Sequence, residues 1–348
     1  MSIVRYSKNP IITTEDVKPS RKDFEVIGVF NPGVAKYGEE TILVVRVAER
    51  PKDNDEHFIK VPIYDDKNKE IIVKEISRTC KGIELYDPRV IVIEDQKYLT
   101  SLSHLRIARS IDGYRFQVEN QPAIIPDNIY EAYGIEDARV TLLNGRYYIN
   151  YSAASSAGIT TGLISTPDFK NFKREGIIFC PDNKNVAIFP EKINGKYYAL
   201  HRPSGSYCSR PEIWIADSND LICWGNHRRL AGVRPGYWDN GRIGASAVPF
   251  RTEHGWVEIY HGATVDDYYC LGVMLLDLNE PWKVMARSEM PFIKPEEEYE
   301  TEGFFKNVIF SCGLLEDGQQ IRLYYGAADK SVACIDYTLD DVLDSVGL

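Results

Sequence analysis

A short motif recurs along this chain, in which a Gly-containing turn precedes a strand of aromatic and β-branched residues and then small residues. Its copies are YGEETILVVRVAER (37–50), EDQKYLTSLSHLRIARS (94–110), NGRYYINYSAASS (144–156), NGKYYALHRPS (194–204), HGWVEIYHGA (254–263) and DGQQIRLYYGAADKS (317–331). Successive copies lie about 50 to 60 residues apart. A second apolar strand precedes four of them, at 87–93, 136–143, 185–193 and 307–315. Each pair of strands predicts a β-hairpin with a turn of the Asn-Gly or Asp-Gly type.

Strand pairs repeated at this period are typical of a β-propeller, in which each blade is a four-stranded antiparallel sheet. The number of copies allows five or six blades, and a pair of β-sandwiches is the alternative all-β architecture. No low-complexity linker or shift in composition marks a boundary, so we expect residues 1–348 to form a single β-propeller domain. We expect little helix beyond a turn within 337–348, and a loop at the acidic segment 53–56.

The charge composition argues against several classes of partner. The 41 basic and 51 acidic side chains give a formal charge of −10, which disfavours nucleic acid or an anionic membrane as the main partner. No apolar run approaches the roughly 20 residues that span a bilayer, and the N-terminus has no secretory signal pattern. The seven cysteines are scattered without a C-x-x-C pair, which favours reduced thiols. We therefore expect a cytoplasmic protein.

Carboxylates stand at the start of two apolar strands, where hydrophobic side chains would be expected. Glu136, Asp137 and Arg139 lie in YGIEDARVT, and Asp87 and Arg89 lie in the related YDPRV one repeat earlier. A structural ion pair closing the end of a blade is the alternative explanation for each group. Two adjacent carboxylates repel each other, which tends to raise the pKa of one of them. A carboxyl that stays protonated near neutral pH is what a general acid requires.

Basic residues recur near the ends of the predicted strands. They are Arg46, Arg50, Arg106, Arg109, Lys184, His201, Arg202 and Arg242. Each alone fits a solvated surface, and His201 alone fits a buried core histidine. If several of them converge on the central channel of a propeller, they would bind a small oxyanion, most naturally phosphate.

A third group of residues has the character of a sugar site. It comprises Tyr133, Tyr151, Trp238, Trp256, Tyr260, His261, Tyr325 and Asp329. Aromatic faces beside polar groups suit pyranose rings, although Trp256 and Tyr325 fit a blade core better. The sequence has no P-loop, dinucleotide fingerprint, serine-hydrolase elbow or paired-histidine metal motif, so we predict no metal site and no bound cofactor.

These motifs together resemble glycoside hydrolase family 130, the mannoside phosphorylases and mannosidases, which fold as five-bladed β-propellers. The matching segments are FNPGVAKYG (30–38), YDPRV (86–90), GIEDARVT (134–141), NVAIFPEKINGKYYALHRPS (185–204), IWIADSNDLICWGNHR (213–228), GWVEIYHGA (255–263), EGFFKNVIFSCG (302–313) and YYGAAD (324–329). One departure is Ala138, where the family commonly has Pro. The resemblance implies one catalytic five-bladed propeller.

The resemblance also implies a mechanism. Asp137 would be the catalytic acid and would protonate the glycosidic oxygen indirectly, through the mannose 3-hydroxyl. Phosphate would attack the anomeric carbon from the opposite face, which inverts it and gives α-mannose 1-phosphate. Inorganic phosphate would be the co-substrate, and no other cofactor is implied. The chain is more similar to the branch that acts on β-1,2-linked mannobiose or oligomannan than to the mannosyl-glucose phosphorylases, and a β-1,4-mannoside phosphorylase is an alternative.

The family pattern also assigns binding residues. The expected phosphate ligands are Lys184, His201 and Arg202, with Arg50, Arg89, Arg139 and Arg174 as further candidates. The expected substrate contacts are Asn31, Arg46, Asp87, Glu136, Tyr151, Glu191, Tyr260, His261, Glu302 and Asp329. The partners are thus a small β-mannoside and phosphate, with a homo-oligomer possible.

Two other functions remain open at this point. An inverting mannosidase of the same family would need a second carboxylate as a base to activate water, and Glu191 or Glu302 are the candidates. A phosphorylase needs no base, because phosphate is already an anionic nucleophile, but it needs cations to hold that phosphate. A non-catalytic sugar-binding propeller would keep the aromatic residues without needing Asp137.

Overall fold

The structure is a computed structural model that describes residues 3–52, 56–80, 83–87, 89–93, 95–205, 208 and 210–348, with the side chains of 85–87 left out. Most of the predicted loop at 53–56 therefore lies outside the described residues. Strands dominate the part of the chain that is described. The helices there are short: α1 (Glu298–Thr301), α2 (Leu339–Asp344), and 3-10 turns at Thr14–Asp16 and Ile129–Glu131. The predicted helical turn near the C-terminus is confirmed by α2.

The strands follow one another with short connections. The first half contains β1 (Val4–Arg5), β2 (Phe24–Tyr37), β3 (Glu40–Pro51), β4 (Phe58–Asp65), β5 (Glu70–Ser77), β6 (Glu84–Asp87), β7 (Val90–Ile93), β8 (Gln96–Leu99), β9 (Leu102–Ser110), β10 (Gln117–Val118), β11 (Gly134–Leu143), β12 (Arg146–Ser155), β13 (Gly158–Thr166) and β14 (Lys173–Phe179). The second half contains β15 (Asn183–Ile188), β16 (Tyr197–Pro203), β17 (Ile213–Ser218), β18 (Trp224–Ala231), β19 (Arg242–Ala245), β20 (Phe250–Arg251), β21 (Trp256–Ala263), β22 (Tyr269–Leu276), β23 (Val284–Arg287), β24 (Ile309–Asp317), β25 (Gln320–Ala327) and β26 (Ser331–Thr338).

Five larger sheets follow each other in chain order. The first (β2, β3, β9 and β10) meets the second (β11 to β14) at a single parallel residue pair, Ser103 with Gly134. The third contains β15 to β18, the fourth contains β19 to β23, and the fifth contains β24 to β26. Two small antiparallel sheets, β4–β5 and β6–β7–β8, lie between β3 and β9 in the sequence. The described chain is therefore all-β, as the strand repeats predict.

The Asn-Gly turns confirm the hairpins that the sequence predicts. Leu143 pairs with Arg146 across a two-residue turn, in which Asn144 and Gly145 have φ angles of 51° and 77°. Positive φ at both central residues defines a type I′ turn, whose twist matches the flanking strands.

The predicted hairpin of 87–93 with 94–110 is wrong in its second strand. The segment 94–110 divides into β8, which pairs with β7, and β9, which pairs with β3 in the first sheet. The strand expected at 87–93 is also interrupted between β6 and β7. The reason is burial: nearly every residue of β9 is buried, so β9 belongs in a large sheet, whereas β8 is partly exposed.

Hydrophobic clusters fill the spaces between successive sheets. Separate clusters join β9 with β12, β13 with β15, β16 with β22, β22 with β26, and β26 with β3. Each sheet therefore packs one face on the sheet before it and the other on the sheet after it, and the fifth sheet packs on the first.

The N-terminal strand is tied into the fifth sheet. β1 pairs with β26, which is the last strand of the chain. Arg5 of β1 donates from Nε to Oε1 of the buried Glu300 at 2.8 Å, and the Tyr325 hydroxyl donates to the same oxygen at 2.6 Å. The backbone pairing of β1 with β26 thus holds the two ends of the chain together, and a partly buried ion pair holds β1 to α1.

Buried carboxylates with the same kinds of partner, a Tyr hydroxyl and an Arg, lie in turns beside two other sheets. Glu131 accepts from the Tyr151 hydroxyl at 2.6 Å and from Arg174 at 2.9 Å. Asp239 accepts from the Tyr260 hydroxyl at 2.9 Å and from Arg287 at 2.5 Å. A buried carboxylate is tolerated when cations and hydroxyls form hydrogen bonds to it. This need explains why three copies of the repeated motif carry a Tyr, namely Tyr151, Tyr260 and Tyr325.

No helix of the described residues is both long enough and apolar enough to cross a membrane.

Candidate active site

A cavity of about 1010 Å³ is formed by residues of the first strand in each of the five larger sheets. These strands contribute Asn31 from β2, Asp137 from β11, Asn185 from β15, Arg242 from β19 and Phe310 from β24. The small sheet β6–β7–β8 and the loops before β22 and β24 supply other parts of the wall. Residues that are distant in the sequence therefore meet in one concave site.

Irregular strand geometry directs three polar side chains at this cavity. Asn31, Asp137 and Asn185 have φ angles of 48°, 49° and 53°. Each lies where the strand register shifts, in β2, β11 and β15 respectively. A β-bulge re-aims a side chain out of the regular alternation, and Asn and Asp tolerate a positive φ better than most residues. The same local device therefore recurs in three sheets.

Arg46 lies between the two carboxylates of the strand β11. Its Nη1 donates to Asp137 Oδ1 at 3.0 Å and its Nη2 donates to Glu136 Oε1 at 2.7 Å. Asn31 Nδ2 also donates to Asp137 Oδ1, at 2.9 Å. Burial raises the pKa of Asp137, but Arg46, the Asn31 hydrogen bond and Lys184 together outweigh it and hold that pKa below its usual value.

The raised carboxyl pKa that the sequence predicts at this pair is not found at Asp137. Charge repulsion between the neighbours was the expected cause, and Arg46 removes that repulsion by pairing with both. A raised pKa occurs instead at Asp329, in the same cavity. Burial raises the pKa of Asp329 to about 6, against the opposing charge of Arg46 and with the help of the Asp137 charge.

Three basic residues, Lys184, Arg202 and Arg242, form what we call the cationic wall of the cavity. Lys184 Nζ lies 3.7 Å from Glu136 Oε2. Arg242 pairs with Asp267, and its guanidinium carbon lies 5.3 Å from the centre of the Tyr269 ring.

Arg202 is the most enclosed member of the cationic wall. Burial lowers the pKa of its guanidinium to about 10, so it still carries a charge at neutral pH. Its Nη1 lies 3.1 Å from His261 Nε2, and its shielded Nε has no hydrogen-bond partner among the residues that the structure describes. An unsatisfied charged donor beside a cavity suits an anionic ligand.

Ten of the residues predicted from the sequence line this cavity, among them Tyr133 of the sugar-site group and Arg242 of the basic group. The other eight are Asn31, Arg46, Arg89, Glu136, Asp137, Lys184, Arg202 and Asp329. The Arg89 guanidinium carbon lies 4.0 Å from the centre of the Phe305 ring. Asp87 ends β6 next to this region, but its side chain lies outside the described residues.

The other predicted phosphate ligands lie away from the cavity. Arg139 is buried behind it, where its Nε and Nη2 donate to the carbonyls of Ser246 and Ala245 at 2.6 and 2.7 Å. Arg50 is half-exposed and pairs with Glu25 at 2.6 Å. These arginines join strands or lie on the surface, so direct phosphate contact does not fit their placement.

His201 and Arg174 are also held elsewhere. His201 stacks on Phe179 and bonds to Asn183 and His227. Burial lowers the pKa of His201 to about 3, so it is a neutral core histidine. Arg174 pairs with the buried Glu131 described above.

Five of the predicted substrate contacts do not line the cavity either. Tyr151 and Tyr260 are buried and donate to Glu131 and Asp239, and His261 lies behind Arg202. Glu191 and Glu302 have side chains that are 50% and 59% exposed, and they pair with Arg251 and Lys306. The strand period identifies such residues as facing one side of a sheet, but it does not distinguish a side that packs on a neighbouring sheet from one that meets the cavity.

Sequence reasoning missed several residues of the cavity wall. Asn185, Lys97, Tyr269, Phe305, Lys306 and Phe310 line it. Asn185 could have been found, because an Asn directly before a buried apolar strand repeats the position of Asn31. For the loop residues no comparable signal exists.

No group of three or more His, Cys, Asp or Glu side chains in the described ranges is placed to hold a metal ion. The predictions that the protein uses no metal and no bound cofactor stay predictions.

Comparison with known proteins connects this geometry to a family. The sequence model of glycoside hydrolase family 130, described as β-1,4-mannooligosaccharide phosphorylase, matches residues 100–347. The β-1,2-mannobiose phosphorylase of Listeria innocua is 47% identical over 347 residues, which cover 99% of this chain and 98% of that protein. The 1,2-β-oligomannan phosphorylase of Thermoanaerobacter sp. is 36% identical over 249 residues, or 71% of this chain and 82% of that protein.

A solved structure agrees with the sequence comparison. The Listeria innocua β-1,2-mannobiose phosphorylase in complex with β-1,2-mannobiose superposes with a TM-score of 0.96 at 46% identity, over 99% of both chains. The family match spans more than half of the chain, and the Listeria relative matches nearly all of it. This protein therefore belongs to glycoside hydrolase family 130.

Proposed function

We propose that this protein is an inverting phosphorylase, which converts β-1,2-mannobiose and inorganic phosphate into α-mannose 1-phosphate and mannose, and shortens longer β-1,2-linked mannosides in the same way. One observation carries the proposal: the cavity that holds Asp137 also has a cationic wall, in which the half-buried Arg202 has a shielded and unsatisfied Nε. An acid and an anion site in one cavity are what phosphorolysis requires.

We also propose that the five larger sheets are the blades of a five-bladed β-propeller, in one catalytic domain of residues 1–348. The cyclic order of the hydrophobic clusters supports this arrangement, because the fifth sheet packs on the first. The contribution of each first strand to the same cavity supports it too. The expected cytoplasmic location, and inorganic phosphate as co-substrate without another cofactor, belong to the same proposal.

The two glutamates that the sequence offers as a hydrolase base do not lie in the cavity, which favours phosphate over water as the nucleophile. An inverting hydrolase needs a second carboxylate near the sugar to activate water. Glu191 and Glu302 are exposed and do not line the cavity. Glu136 does line it, but its two oxygens lie beside Arg46 and Lys184. Both oxygens of Glu136 are therefore engaged by cations and are not free to orient a water.

The relatives, rather than the cavity, indicate that the substrate is β-1,2-linked. The two relatives described above are named for β-1,2-linked substrates, and the Listeria enzyme matches nearly the whole chain. A β-1,4-mannooligosaccharide phosphorylase of Ruminococcus albus is 37% identical over 60% of this chain. We therefore favour β-1,2-linked mannosides over β-1,4-linked ones.

In the proposed reaction, Asp137 gives its proton to the oxygen of the mannose 3-hydroxyl while the proton of that hydroxyl passes to the glycosidic oxygen. The bond from C1 to the departing mannose breaks as a phosphate oxygen bonds to C1 from the opposite face. Asp137 ends ionised, which is the state that Arg46 and Asn31 favour. A bound phosphate would raise the pKa of Asp137 by charge repulsion, which favours the protonated acid.

Replacing Asp137 with Asn should lower kcat about 100- to 10,000-fold, because the amide cannot donate the proton. The dissociation constant of β-1,2-mannobiose should change little. The measurement is initial rate together with calorimetric sugar binding. The half-exposed Asp66, which pairs with Lys69 and does not line the cavity, gives the matched control Asp66→Asn. Unchanged turnover in Asp137→Asn would sink the assignment of the acid, and a sugar-binding protein without catalysis would show no turnover in either variant.

Replacing Lys184 with Ala should raise the KM for phosphate about tenfold or more, because a charge-assisted contact is lost. The KM for the mannoside should change far less. Lys97 also lines the cavity but lies outside the cationic wall, so Lys97→Ala is the matched control and should leave the phosphate KM unchanged. Equal effects of Lys184→Ala on both substrates would contradict the placement of phosphate.

Mannobiose affinity should fall as the pH drops below about 6, the pKa of Asp329 in the free protein. The ionised carboxylate accepts stronger hydrogen bonds from sugar hydroxyls, so bound sugar lowers this pKa. The mannobiose affinity therefore has its full value above the pKa of Asp329 in the sugar-free protein. Below that pKa it falls by up to about tenfold per pH unit. The measurement is the dissociation constant without phosphate from pH 5 to 7.5. Asp329→Asn should flatten the profile, and an unchanged slope in that variant would refute the role of Asp329.

A further inference from the structure

His261 lies directly behind the cationic wall and contacts two residues that line the cavity. Its Nε2 is 3.1 Å from Arg202 Nη1 and 3.2 Å from Asn185 Nδ2. On the other side of the ring, Nδ1 is 3.2 Å from the Ser246 hydroxyl. His261 is completely buried, and it does not line the cavity itself.

The chemistry of these partners determines which ring nitrogen carries the proton. A guanidinium has donors and no acceptor, so His261 Nε2 must accept from Arg202 and cannot be protonated. The proton of the neutral ring is then on Nδ1, which donates to the Ser246 hydroxyl. Burial, together with the charges of Arg202, Arg139 and Arg242, holds the pKa of His261 well below its usual value. The ring therefore remains a neutral acceptor at physiological pH.

Packing fixes the imidazole in this orientation. The ring of Phe310 lies 4.5 Å from it and that of Tyr269 lies 6.2 Å from it, measured between centres. Gly244 leaves the space in which the histidine meets Asn185: a Cβ at residue 244 would lie 2.6 Å from both Asn185 Nδ2 and His261 Cε1. The close approach of strand, amide and ring thus requires glycine at that position.

We propose that His261 is a positioning residue for the anion site: its Nε2 holds the guanidinium of Arg202 and the amide of Asn185 in the orientation that binds phosphate. The guanidinium of Arg202 is planar, so the hydrogen bond from its Nη1 to His261 also fixes the orientation of its other donors. These include the unpaired Nε. Asn185, on its bulge in β15, is held from the same nitrogen. The inference rests on the proposed phosphorylase function. His261 acts on the phosphate site through Arg202 and Asn185, without touching substrate itself.

The test compares His261→Phe, which keeps a planar ring but removes the acceptor, with His261→Gln, whose Oε1 can still accept from Arg202. His261→Phe should raise the KM for phosphate at least about tenfold, since a hydrogen bond to a charged group is lost. The dissociation constant of β-1,2-mannobiose, measured without phosphate, should stay within about twofold. His261→Gln should restore most of the phosphate affinity. A phosphate KM unchanged in His261→Phe, or no rescue by Gln, would overturn the inference.

A second measurement does not depend on activity. In the wild-type protein labelled with ¹⁵N in its histidine rings, His261 should be the neutral Nδ1–H tautomer at every pH between 5.5 and 8. His261→Gln identifies its signals by their absence. An Nε2–H tautomer or a titration in this range would overturn the inference even if the kinetics agreed.

The two proposals fail in different ways. Release of free mannose by the wild-type protein without phosphate would refute the phosphorylase function. Strict phosphate dependence in the wild type, with a normal phosphate KM in a folded His261→Phe variant, would refute the positioning role alone. Circular dichroism and the thermal midpoint show whether that variant is folded.

Discussion

Glu136 and Asp137 can share one buried corner of the cavity because the guanidinium of Arg46 lies between them. Two ionised carboxylates side by side would repel each other in a low-dielectric site. Arg46 donates to both, at 2.7 and 3.0 Å, and is itself held by the Ser103 hydroxyl at 3.0 Å and by the ring of Phe30. The charge balance of the acid, and with it the state from which catalysis starts, depends on this contact between β3 and β11.

Two local features recur in or beside the sheets around this site: β-bulges and buried carboxylates. Bulges at Asn31, Asp137 and Asn185 turn polar side chains toward the cavity from three sheets. Buried carboxylates that bind a Tyr hydroxyl and an Arg stabilise three of the sheets away from it. The repeated motif of the sequence therefore has two roles: its Tyr residues stabilise the sheets, whereas residues of the preceding strands build the site.

The local features of the fold and of the site could be predicted from the sequence. Hairpins, the all-β class and the polar strand ends depend on residues that are close in the chain, so Asp137, Lys184 and Arg202 were found and do line the cavity. Long-range choices could not be predicted. Nothing near β9 shows that it pairs with β3, and the position of Tyr260 in its motif does not reveal a buried Asp239 as its partner. The partners of Arg46 lie about ninety residues away, so its role emerges only from the fold.

Product analysis with β-1,2-mannobiose, with and without inorganic phosphate, distinguishes phosphorolysis from hydrolysis. An acid and a cationic wall in one cavity predict that α-mannose 1-phosphate and mannose form in equal amounts, and that they form only when phosphate is present. Wild-type protein that releases two mannose molecules per mannobiose at the same rate in both conditions would contradict the account. The cationic wall would then need another explanation, and a base in the cavity would have to activate water.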